Sequence, residues 1–177
     1  MKTITVSLAL LALAVPAAGA GAAPPAFSDQ LCPEATQTVQ AVQALTVAAD
    51  PQKIYDTALA ASNAYDGCAK RWLGDQNIEP GAHYARTREA QFGVLAGRAL
   101  VALKRPDDAR REFTRDRALA SDVASWEVAV HGVDAGVQTN SDSKYSRWRP
   151  TALLVVEAAD DELKKLDASP AAASPKP

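Results

Sequence analysis

Between Tyr84 and Asp122 two runs of helical periodicity meet at Lys104-Arg105-Pro106-Asp107-Asp108, and this junction restricts the fold more than any other stretch. Proline suits a first helical position because the amide it lacks would have no intrahelical partner there. The acids behind it sit at the positive end of the helix dipole. One helix therefore begins at Pro106, and a turn this short folds it back on the helix before it. On the incoming helix Ala85, Phe92, Leu95, Ala96, Ala99, Leu100 and Leu103 share a face. On the outgoing one Ala109 and Phe113 lead an apolar face that closes at Ala118-Leu119-Ala120.

The rest of the chain reads as helix packed around this hairpin. Of its 177 residues 47% are hydrophobic but only 6% aromatic, alanine making up much of the difference. Alanine is the strongest helix former and suits close helix contact. From Glu34 to Ala49 the apolar positions Ala35, Val39, Val42 and Leu45 step by three and four, the period of a helix. Asp50-Pro51 supplies a capping carboxylate and a first-turn proline, opening a helix that runs to about Trp72. Its stripe is Ile54, Ala58, Ala61, Tyr65, Cys68 and Trp72, and Gly74-Asp75 stops it. Asn77 to Gly81 reads as a loop. Trp126 to Val137 fits either period; helix is expected, although Gly132 and Gly136 would each cost it about 1 kcal/mol, because a lone strand has no partner. After a polar loop from Gln138 to Ser143, Leu153, Val156, Leu163 and Leu166 mark a last helix starting at Pro150, or at Ser143 with a kink. The expected fold is all-α, five or six helices in stacked antiparallel hairpins.

Met1 to Ala20 has the form of a secretory signal: one lysine, an apolar run from Ile4 to Val15, and Ala18-Gly19-Ala20 as a cleavage site, too short to span a bilayer. Residues 21–30 read as linker, 31–167 as the helical domain and 168–177 as a disordered Pro/Ala/Ser tail. No Asn-x-Ser/Thr site occurs, which sits easily with a bacterial periplasm. Export places the two cysteines, Cys32 and Cys68, where pairing is expected. They lie at equal distances before and after Asp50, so in an antiparallel hairpin they come level at its open end. A bond there removes denatured-state entropy worth roughly 3.5–4 kcal/mol in the chain-entropy model.

Gly97 where two helices touch, Leu100 as the bulky neighbour, Lys104-Arg105-Pro106-Asp107-Asp108-Ala109 as the turn, and Phe113 four residues beyond Ala109 resemble one unit of a tetratricopeptide repeat, around residues 90–121. In such a unit the small residue lets the backbones approach and the aromatic fills the wedge between them. Two positions depart from the pattern: Gly93 stands where tryptophan or leucine is usual, and Asp116 where a small residue is usual. The Ala-Leu-Ala close comes two residues late, and no proline follows Ser121. The resemblance implies a non-catalytic module that presents a concave helical face to a peptide or partner protein, with no cofactor. A repeat unit needs stacked neighbours to bury its faces, and the first hairpin and the last helix are available for that.

No catalytic motif stands out. His83 and His131 have no other ligand at metal-binding spacing, and a zinc site needs three or four ligands. Asp160-Asp161-Glu162 point about 100° apart on a helix, so they do not converge on an ion. The denser signal is positive charge in the central hairpin, where Arg86, Arg88, Arg98, Lys104, Arg105, Arg110, Arg111, Arg115 and Arg117 face only Glu89, Asp107, Asp108, Glu112 and Asp116. Either these are solvated faces with intrahelical ion pairs, or guanidiniums such as Arg98, Arg105, Arg110 and Arg111 hold a carboxylate-bearing or phosphorylated partner. Nucleic acid fits poorly, since the net charge is -2. The competing function is a helical ligand carrier or small enzyme with its site between helices.

Overall fold

The computed structural model describes residues 32–46, 48–73, 79–131 and 148–168, the side chains of residues 79, 80 and 126–131 excepted. The signal sequence, linker, polar loop and tail read from the sequence lie outside this range, the first residue of the tail excepted. The described chain forms five helices and no strand: α1 (Pro33–Gln43), α2 (Pro51–Leu73), α3 (Glu79–Ala102), α4 (Pro106–His131) and α5 (Trp148–Ala168). Each packs antiparallel on the next, and α5 also returns against α3. The all-α architecture of stacked hairpins is the one expected.

At the first hairpin, Asp50 Oδ1 accepts the Gln52 amide at 2.7 Å and caps α2. The stripe read for α2 faces inward: Ile54, Ala58, Ala61, Tyr65 and Cys68 are buried and Trp72 half-buried. Cys32, at the N-cap of α1, forms a disulfide with Cys68 at a Cα–Cα distance of 5.6 Å. The level meeting of the two cysteines is thus present. The helix before the turn is shorter than expected, ending at Gln43 rather than Ala49. Only Ala35 in α1 is buried, so little packing holds its far end in helix.

The α3–α4 turn is built as read. Lys104 takes a left-handed conformation (φ 59°), Arg105 N–H donates to Leu100 O and Lys104 N–H to Val101 O. This is a Schellman motif with lysine where glycine is preferred. Arg105 O then accepts the Ala109 amide and begins α4. α4 does not close at Ala120 but continues to His131. Val123 and Ala124 are buried, extending the stripe of Phe113, Asp116 and Ala120, so tertiary contact carries the helix past Ser121-Asp122. Of the stretch from Trp126 to Val137 expected as helix, residues 126–131 continue α4, and the rest lie outside the described residues. The described part of α5 begins at Trp148 and takes Pro150 within it; the alternative start at Ser143 lies outside the described residues. α3 includes Pro80 and Gly81, which the sequence reads as loop.

Two apolar clusters result. One joins α3, α4 and α5 through Val94, Leu100, Phe113, Val123 and Val155; the other surrounds the disulfide with Tyr65, Tyr84 and Ala85. Trp148 packs against both. An aromatic chain crosses the second cluster: Phe92 stacks on Tyr65 at 5.7 Å, Tyr65 meets Tyr84 edge-on at 5.9 Å, and Tyr84 meets Trp148 at 4.7 Å. Such geometries suit the ring quadrupoles. α3 is the central element, buried on most sides because α2, α4 and α5 all lie against it.

Candidate functional site

The most unusual chemistry lies inside, where α2, α3 and α4 meet. Ser62, Thr87, Glu89 and Asp116 are all buried. Thr87 is ordinary, its hydroxyl donating to His83 O at 2.8 Å within α3. The other three belong to a network. Ser62 Oγ donates to Glu89 O at 3.1 Å and lies 3.3 Å from Arg115 Nη2, which donates to it. Arg86 binds Glu89 at 2.9 Å and reaches Asp66 of α2 at 3.2 Å. Arg115 contacts Glu112 at 2.8 Å and Asp116 at 2.9 Å.

Two glycines of α3 make room for this packing. A Cβ on Gly97 would overlap the Phe113 ring, the helix contact expected from the sequence. A Cβ on Gly93 would overlap both carboxylate oxygens of Asp116. The two departures from the repeat pattern are therefore one feature. A side chain is missing on α3 where one is added on α4, and the acid occupies the vacated volume. Asp116 Oδ1 accepts from Arg115, while Oδ2 has no hydrogen-bond partner among the described residues. Burial pushes the carboxyls of Asp116, Glu89 and Glu112 above their ordinary range, against the pull of the neighbouring guanidiniums, and Asp116 reaches about 7. Sequence reasoning counted Asp116 among surface acids; the signal that could have found it was its place on the buried stripe, four residues from Ala120 and three from Phe113.

The arginines singled out earlier are distributed rather than gathered. Arg98 Nε donates to Glu162 at 2.9 Å, Arg110 Nη1 to Asp167 at 2.6 Å, and Arg117 Nε lies 2.6 Å from Asp160. All three carboxylates are on α5. Arg105 and Arg111 both pair with Asp108, holding its carboxyl below the usual range through the Arg105 hydrogen bond first. Arg105 also stacks its guanidinium 5.7 Å from the Tyr55 ring. Arg88 lies over Tyr65 and Phe92. The excess of positive charge in the hairpin is met by acids 43 to 64 residues further along the chain, which local counting could not include. Asp160, Asp161 and Glu162 do diverge: the first reaches α4, the second Lys164, and the third Arg98 and Lys165.

Among the described residues no group of three or more His, Cys, Asp or Glu side chains is placed to hold a metal ion. No described helix is long and apolar enough to cross a membrane. A shallow open depression lies between α4 and α5, lined by Ser121, Ala124, Ser125, Arg149, Leu153 and Val156. No family model, curated protein or solved structure matches this chain.

Proposed function

We propose that this chain is an exported, non-catalytic helical module of tetratricopeptide-like build, which presents a helical face to a peptide or protein partner. One observation carries the reading: α5 leans on both helices of the α3–α4 hairpin. In stacked hairpins the leading helix of each unit rests on both helices of the unit before it, and leading helices come to line one face. Here α5 takes that position against the α3–α4 pair. The Gly97–Phe113 contact at the helix crossing supports the same build. So does a disulfide that an oxidising compartment would form and keep.

Arg105, just before α4, and Arg110 and Arg111 in its first turns are exposed, each paired with one carboxylate among the described residues. A guanidinium offers five donors in a planar fork, so a partner carboxylate has donors left to take. Affinity capture with the mature, oxidised protein, from the envelope fraction of its own source, tests the proposal. Support is a partner retained by the wild type and lost by the Arg105→Glu, Arg110→Glu, Arg111→Glu triple variant, with the helical content of the two proteins equal. If nothing is retained while a small molecule raises the melting temperature, a ligand carrier replaces the binding module.

A further inference from the structure

Asp116 sits where a carboxylate is hard to keep ionised. It lies on the inner face of α4, 0% exposed, with its carboxyl in the hollow that Gly93 leaves on α3. Oδ1 is satisfied by Arg115, but Oδ2 meets no donor among the described residues. An ionised oxygen without a donor has lost its hydration and gained nothing in return. The neighbours do not correct this. α2 brings Ser62 and Asp66, the latter held by Lys70, α3 brings Arg86 and Glu89, and α4 itself brings Glu112 and Arg115. α5, packed on the other side of α3 and α4, touches them through Asp160, Glu162 and Asp167, which are engaged with Arg117, Arg98 and Arg110. The inner group thus holds four carboxyls, Asp66, Glu89, Glu112 and Asp116, against two guanidiniums and the Lys70 ammonium on Asp66. Glu112 and Glu89, when ionised, add to burial in making Asp116 harder to ionise.

We infer that Asp116, seated in the Gly93 hollow beside Glu112 and Glu89, is a proton-operated latch on the α3–α4 hairpin. Neutral, it lets the helices close over it. Ionised, it loosens them.

The direction of the pH effect follows from burial. Its carboxyl titrates at about 7 in the folded chain, well above an unfolded aspartate, so the folded state binds the proton more tightly. The resulting stabilisation is complete below the unfolded value and is lost as pH climbs through about 7. Ordinary carboxylates are already ionised at pH 5, which leaves the interval from pH 5 to 8 to the raised acids and the histidines.

The test is thermal unfolding of the mature, oxidised protein across that interval, wild type against Asp116→Asn, together with a carbon NMR titration of the Asp116 carboxyl in the wild type. The wild-type melting temperature is expected to fall by roughly 5–8 °C from pH 5 to pH 8. Most of that fall should vanish in Asp116→Asn, which leaves His83 and His131 untouched. The carboxyl resonance should titrate near neutrality. Equal declines in the two proteins, or a carboxyl midpoint in the ordinary aspartate range, overturn the latch. Should Asp116→Asn fail to fold, the wild-type carboxyl titration decides by itself: a near-neutral midpoint upholds the latch and an ordinary one removes it.

Discussion

At the scale of single residues, Gly93 and Gly97 of α3 do different work. Gly97 admits an apolar ring, whereas Gly93 admits a carboxyl group. Gly93→Ala should destabilise the wild type by about 1–3 kcal/mol through overlap with Asp116. In an Asp116→Ala background the same change should instead stabilise, by up to about 1 kcal/mol, because alanine is the better helix former and the obstruction is gone. Denaturant melts of the four proteins measure this reversal; additive effects would show that the two positions do not compete for space. Lys104 offers an independent check. It holds a left-handed backbone at φ 59° that costs a side-chain-bearing residue more than glycine. Lys104→Gly should raise stability by about 1 kcal/mol, read as a melting temperature about 2–4 °C higher. The Gly97–Phe113 contact was legible in the sequence because its spacing follows a known crossing pattern. The Gly93–Asp116 pair was not, since each looked like a separate exception until both were seen to share one volume.

At the scale of elements, α1 is the weakest. It has eleven residues with Ala35 alone buried, and its attachment depends on the bond from its N-cap to α2. Cys32→Ser with Cys68→Ser should cost roughly 3–4 kcal/mol. Amide exchange should show the loss as early opening of α1, while α3 and α4 keep their protection. The length of α1 was misread because periodicity through Leu45 marks a face that could pack, not one that does; Val39, Val42 and Leu45 are only half-buried. The opposite error occurred in α4, where Ser121-Asp122 looks like a stop although Val123 and Ala124 continue the buried stripe. Both boundaries depend on neighbours that a local pattern does not contain. The caps at Asp50 and Pro106 were readable because capping is local chemistry.

For the whole molecule, the charge pattern closes only when α5 is included. Arg98 and Glu162, both largely shielded, join α3 to α5 across a separation of 64 residues. A double-mutant cycle on this pair should give a coupling of about 1 kcal/mol, larger than for the exposed Arg110–Asp167 pair and less sensitive to salt. An equal and fully screened coupling at both sites would mean that α5 is held by its apolar side chains alone. From sequence, the arginine-rich hairpin could be read as solvated or as awaiting a partner. Neither reading included the acids of α5, because pairing over such separations depends on which helix returns to which.

The bond between Cys32 and Cys68 also gives the chain a record of where it has been. A newly made copy kept among reducing thiols has only a short, shallowly packed leading helix, so that end stays loose and pliable. Once oxidised, the same end is clasped shut and does not readily reopen. The docking of α1 should therefore follow the redox state of its surroundings.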